Sequence, residues 1–107
     1  HMDAKFMEKL EMLRADYDKP IVVSSGYRDI SYNTAIGGSP NSAHTKGKAV
    51  DIVIGGHDAF RLLRLAIIHK FTGIGVSQRG MYERRFLHFD TMEDADQHPR
   101  PWLWSYK

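Results

Sequence analysis

Asp51 interrupts an apolar run made of Val50, Ile52, Val53 and Ile54. A carboxylate in such company is costly unless it is paired, hydrogen-bonded or bound to a metal. In a strand over 48–54 side chains alternate, so Val50, Ile52 and Ile54 share one face and Ala49, Asp51 and Val53 the other. A strand over 85–90 behaves alike: Leu87 and Phe89 point one way, Phe86, His88 and Asp90 the other. If the two strands pair, Asp51, His88 and Asp90 meet, and His44, at the end of a glycine-rich loop, folds over them. Two imidazoles and one carboxylate form a sensible zinc set, with bonds of ~2.0–2.2 Å. Three protein ligands leave a fourth position for water, the mark of a catalytic site, and zinc lowers the pKa of that water to about 7. A plainer reading stands beside this one, with Asp51 ion-paired to Arg28 or Lys46 and His88 a satisfied strand residue. The other histidines, His1, His57, His69 and His98, fall in terminal, turn or helix-end surroundings and read as surface positions.

The elements that must position these groups follow from periodicity. Asp3 reads as the N-cap of a helix over 4–17, whose face runs Phe6, Leu10, Leu13, Tyr17. Residues 21–24 read as a short strand. Residues 36–47 hold three glycines and a proline, a loop long enough for so small a domain to suggest function. After the strand over 48–54, Asp58 caps a second helix over 59–71 with an apolar face of Phe60, Leu63, Ile67 and Phe71. Residues 73–76 and 85–90 are spaced to form a hairpin. The tail from His98, with two prolines and two tryptophans, reads as irregular structure wrapped over the core. The expected architecture is α+β, a small, mainly antiparallel sheet with two main helices.

Composition bounds the rest. The chain has 107 residues, 42% hydrophobic and 26% charged, which suits one domain over 1–107. His1-Met2 reads as the remnant of a cleaved tag. There is no cysteine, so disulfides and thiolate ligands are excluded and His, Asp and Glu remain as metal ligands. A net charge of +2, with basic residues scattered, does not make a nucleic-acid footprint. No apolar run approaches the ~20 residues a membrane span needs, and no signal-peptide pattern opens the chain. A monomer is assumed.

Three blocks, "SGYRDISYN", "GGSPNSAHTKGKAVDI" and "RFLHFD", resemble the signature blocks of the M15 peptidases, in particular the M15A-like D-Ala-D-Ala carboxypeptidases and related phage and bacterial murein peptidases. The closing "WSY" also fits. The resemblance implies the hedgehog/DD-peptidase fold and zinc held by His44, Asp51 and His88. Arg28 matches the arginine that holds substrate or the developing oxyanion, with an ion pair to Asp29 or Asp51 as its alternative. Ser42 matches the serine of S-x-H, which orients His44, touches substrate or stabilises the loop. The proton-transfer group departs from the pattern: Arg85 and Phe86 stand where many relatives carry an acid or a histidine. Asp90 could be that base or could fix an imidazole, and Glu83, in the preceding turn, is a second candidate base or a solvated turn residue. The activity implied is amide hydrolysis in peptidoglycan stem peptides at the bacterial envelope, or by a phage endolysin. The contrasting expectation is a non-catalytic cell-wall-binding or structural module on the same fold.

Overall fold

The computed structural model describes residues 2–25 and 43–106. The first helix, α1, spans Ala4–Tyr17, and Asp3 caps it by accepting a hydrogen bond from the Phe6 amide at 2.9 Å. Asp18, with φ 58°, closes the helix by donating its N–H to Arg14 O. The expected face is the one that is buried: Phe6, Leu13 and Tyr17 fully, Leu10 in part.

The described residues form five strands: β1 (Val22–Ser25), β2 (Ala49–Val53), β3 (Gly73–Ser77), β4 (Phe86–Asp90) and β5 (Trp102–Ser105). They form one sheet in the order β1-β2-β4-β3-β5. All neighbours are antiparallel except β3 and β5, which are parallel. Lys48 O accepts from Thr91 N and Ile54 N donates to Arg85 O, which places the even positions of β2 in hydrogen-bonded pairs. Asp51 and His88, directly opposite each other, therefore form a non-hydrogen-bonded pair, where side chains stand closest.

One sheet face is the core. Val50 and Ile52 of β2, Leu87 and Phe89 of β4 and Ile74 of β3 pack against α1 and a second helix, α2, at Gly56–Ile68. Each such buried aliphatic or aromatic side chain contributes about 1.5–3 kcal/mol. The other face carries Ala49, Asp51, His88, Asp90, Gly73, Gly75 and Trp104. Among the described residues no helix is long and apolar enough to cross a membrane.

Three expectations are corrected. The second helix begins at Gly56 and ends at Ile68, with Gly55 as N-cap and Asp58 inside the first turn, where it pairs with Lys19. Its buried stripe is Ala59, Leu62 and Ala66, while Phe60 is 76% and Ile67 59% exposed. Small residues at 59 and 66 let the helix lie close to the sheet, which turns the bulkier residues outward. Phe71 is buried but lies beyond the helix: Phe71 N donates to Ala66 O and Lys70 N to Ile67 O, a Schellman closure that drops Phe71 into the core. Lastly, the tail is not irregular. Residues 102–105 add a strand to the edge of β3, a pairing with no alternation of apolar and polar residues to announce it.

Candidate metal centre

His44 sits in the turn 43–47 that leads into β2. Lys48 N donates to Ala43 O and Gly47 N to His44 O, and Asp3 N ties Gly47 O to the start of α1. Ala43 packs with Ala49 and Met92 in a small apolar cluster beneath the turn. This framework holds His44 over the sheet, 3% exposed, beside the Asp51–His88 pair.

Asp51 is the hinge of the group. Its Oδ1 is 3.0 Å from His88 Nδ1 and its Oδ2 is 3.4 Å from His44 Nε2. The two imidazoles meet edge to face, 5.2 Å between centroids. One ligand atom from each of the three residues lies within 4.8 Å of the others. Two ligand atoms on ~2.0–2.2 Å bonds to a tetrahedral ion stand roughly 3.3–3.6 Å apart, and the 3.0 and 3.4 Å contacts from the two Asp51 oxygens lie near that range.

The far side of His88 is closed by Asp90. His88 Nε2 is 2.8 Å from Asp90 Oδ2. Arg100 grips the same carboxylate with both arms, Nε to Oδ1 at 3.0 Å and Nη2 to Oδ2 at 2.9 Å, and Met92 N donates to Oδ1 at 3.2 Å. Asp90 is 0% exposed. An ionised carboxylate offers about four acceptor sites, and here four donors occupy them.

The charges follow from these contacts. Burial pushes the Asp51 carboxyl up, but the hydrogen bonds and charge of His44 and His88 prevail and hold it at about 2. Burial likewise opposes ionisation of Asp90, and His88 and Arg100 together hold it at about 2. Burial pulls the His88 imidazole down, yet the carboxylates on its two nitrogens raise it above the ordinary histidine range. A neutral imidazole has one N–H and one lone pair, and both of its nitrogens here face a carboxylate. The ring is satisfied either as an imidazolium or with Nε2–H donated to Asp90 and Nδ1 bound to a cation. The second arrangement is the carboxylate–histidine–metal triad common to zinc sites, and the donor set fits the metal.

The sequence pattern of the peptidase M15 family matches residues 1–90. The chain belongs to that family. A relative named zinc D-Ala-D-Ala carboxypeptidase, from Streptomyces albus G, is 41% identical over 69 residues, which cover 64% of this chain and 27% of the relative. The chain thus spans about a quarter of that relative's length.

In this M15 chain the expected residues divide into four groups. His44, Asp51 and His88 are brought together. Asp90 adjoins them behind His88, with donors on both of its carboxylate oxygens. Glu83 is exposed in the 3-10 turn Tyr82–Arg84 and does not belong to the cluster. That turn borders Gly55 through Tyr82 and Arg85. Arg28 and Ser42 lie outside the described residues.

The structure also brings in residues not foreseen. Arg100 comes from the tail to meet Asp90, and Trp104 lies 5.0 Å from the His88 ring and 5.2 Å from the Arg100 guanidinium, centroid to centroid or carbon. Gly73 and Gly75 make the room. A Cβ on Gly73 would collide with the Asp90 carboxylate, and one on Gly75 would stand 2.6 Å from Trp104 Nε1. The alternating glycines of β3 were the available signal, because glycine within a strand often marks a close approach by another group.

Proposed function

We propose that this domain is a zinc-dependent peptidase that hydrolyses an amide bond in peptidoglycan stem peptides, as a D-Ala-D-Ala carboxypeptidase or a murein endopeptidase. The observation that carries the reading is the convergence of His44, Asp51 and His88 in a chain of the M15 family. The name of the Streptomyces relative supports both the metal and the substrate class.

Zinc at this site would acidify a bound water and polarise the carbonyl to be attacked. The chain's own residues set up that chemistry. His44 and Asp51 present a nitrogen and an oxygen from a turn and a strand that the core holds fixed. Asp90 keeps the proton of His88 on Nε2, which leaves Nδ1 as the donor toward the metal. The Asp51 side chain retains 16% exposure, against 3% for His44 and 6% for His88, so substrate approaches from its side. Arg28 supplies a permanently charged fork suited to a terminal carboxylate or a developing oxyanion. The place of action is the bacterial envelope, reached by the producing cell or by a phage.

The test is hydrolysis of stem peptides ending in D-Ala-D-Ala, compared with cross-linked dimers, by zinc-loaded protein. Free D-Ala from the first supports a carboxypeptidase, and monomers from the second an endopeptidase. No cleavage of either by protein holding stoichiometric zinc would overturn the enzymatic reading.

A further inference from the structure

We infer that Arg100 is a positioning residue of the metal centre, acting through Asp90 on His88, so that the C-terminal segment 100–105 is part of the site. The inference rests on the zinc reading above, and extends it to residues beyond the 1–90 that match the family pattern.

The argument begins with the backbone. β5 runs parallel to β3 and pairs Gly73 with Trp102 and Gly75 with Trp104. Across β3, the same glycines pair with Asp90 and His88 of β4. Two rows of side chains therefore cross the sheet: Asp51, His88, Gly75, Trp104 in one, and Ala49, Asp90, Gly73, Trp102 in the next. Because the two β3 positions carry no side chain, groups from β4 and β5 meet above them. Trp104 reaches the His88 ring directly. Arg100, just before β5, reaches the Asp90 carboxylate with two hydrogen bonds and lies over the Trp104 ring.

The guanidinium orients Asp90. Its fork fixes the plane of the carboxylate, which sets where Oδ2 stands and so where the His88 Nε2–H must point. A rotated Asp90 would release the imidazole and turn Nδ1 away from Asp51. Partners of this kind typically change metal affinity by about 10–100-fold.

The experiment is zinc affinity of the full chain, measured by competition with a chromophoric chelator. The proteins are wild type, Arg100→Ala, Arg100→Lys, Asp90→Asn and the double variant Asp90→Asn with Arg100→Ala. Arg100→Ala is expected to weaken binding by about 10–100-fold. Arg100→Lys, which keeps the charge and loses the fork, is expected to fall between it and wild type. The double variant is expected to be no weaker than its weaker parent, because both act on one imidazole. NMR of the zinc-loaded chain gives a second readout: a slowly exchanging His88 Nε2–H in wild type that exchanges faster in Arg100→Lys. If Arg100→Ala does not fold, the lysine variant decides. A folded Arg100 variant with wild-type zinc affinity and an unchanged Nε2–H would overturn the inference. A wild-type chain that takes up no zinc would instead overturn the reading on which it rests.

Discussion

Asp51 and His88 face each other across β2 and β4 in a non-hydrogen-bonded pair, with Asp51 Oδ1 3.0 Å from His88 Nδ1. This register turns the strand's one carboxylate from a liability into half of a site. A slip by one residue would send Asp51 into the core and Val50 and Ile52 to the other face. The apolar residues that flank Asp51 therefore fix its direction, since their burial holds the strand in one phase.

The first prediction concerns the ligands. His44→Ala and His88→Ala should each lower bound zinc from one equivalent to near zero after dialysis, as measured by elemental analysis, with hydrolysis lost in parallel. Stoichiometric zinc retained in both variants would place the metal elsewhere.

Asp90→Asn separates two roles. As a partner of His88, Asp90 should on substitution lower zinc affinity by about tenfold or more. The metal-free chain should lose stability too, since removing one member of a buried ion pair costs about 3–5 kcal/mol. A base would give the opposite pattern, full zinc affinity with a depressed rate at saturating zinc, and chelator competition beside steady-state kinetics tells them apart.

The pH dependence of the metal-free chain follows from signs. Asp51 and Asp90 sit at about 2 when folded, against an ordinary value of 3.8. Their stabilisation is present above that ordinary value and is lost as pH falls towards 2, a loss on the order of a few kcal/mol. His88 is shifted upward, so its contribution is complete below about 6.5, the value of an unfolded histidine, and fades as pH rises through its folded value. Urea unfolding in the presence of chelator should therefore show greatest stability between roughly pH 4 and 6.5. A flat profile from pH 4 to 2 would contradict the buried pairs.

The phase of α2 gives a prediction independent of the metal. Leu62 is 0% exposed and Phe60 76%. Leu62→Ala should cost about 2–5 kcal/mol, whereas Phe60→Ser should stay within about 0.5 kcal/mol. Chemical denaturation measures both, and a reversed order would mean that the helix faces the sheet differently.

Much of this was legible in the sequence where local pattern and packing agree. Alternation in 48–54 and 85–90 assigned the faces of Asp51 and His88 correctly, because strands buried on one side tolerate a single register. The Phe6–Leu13–Tyr17 stripe and the Asp3 cap were read for a similar reason. The phase of α2 is not legible from bulk: alanines at 59 and 66 carry little hydrophobic signal, yet they are the positions that are buried. The Asp90–Arg100 pair was hidden by sequence separation and by a tail whose prolines suggested irregular structure. Only tertiary pairing with β3 makes 102–105 a strand and delivers Arg100 to the site.

The most direct measurement is release of free D-alanine or soluble peptide material from purified peptidoglycan by the zinc-loaded chain, by the chelated chain, and by the chelated chain after zinc is restored. The expected result is release by the first, none by the second and recovery in the third. Release that continues in the chelated chain, or none from protein carrying one zinc, would contradict the assignment of a hydrolytic zinc centre to His44, Asp51 and His88.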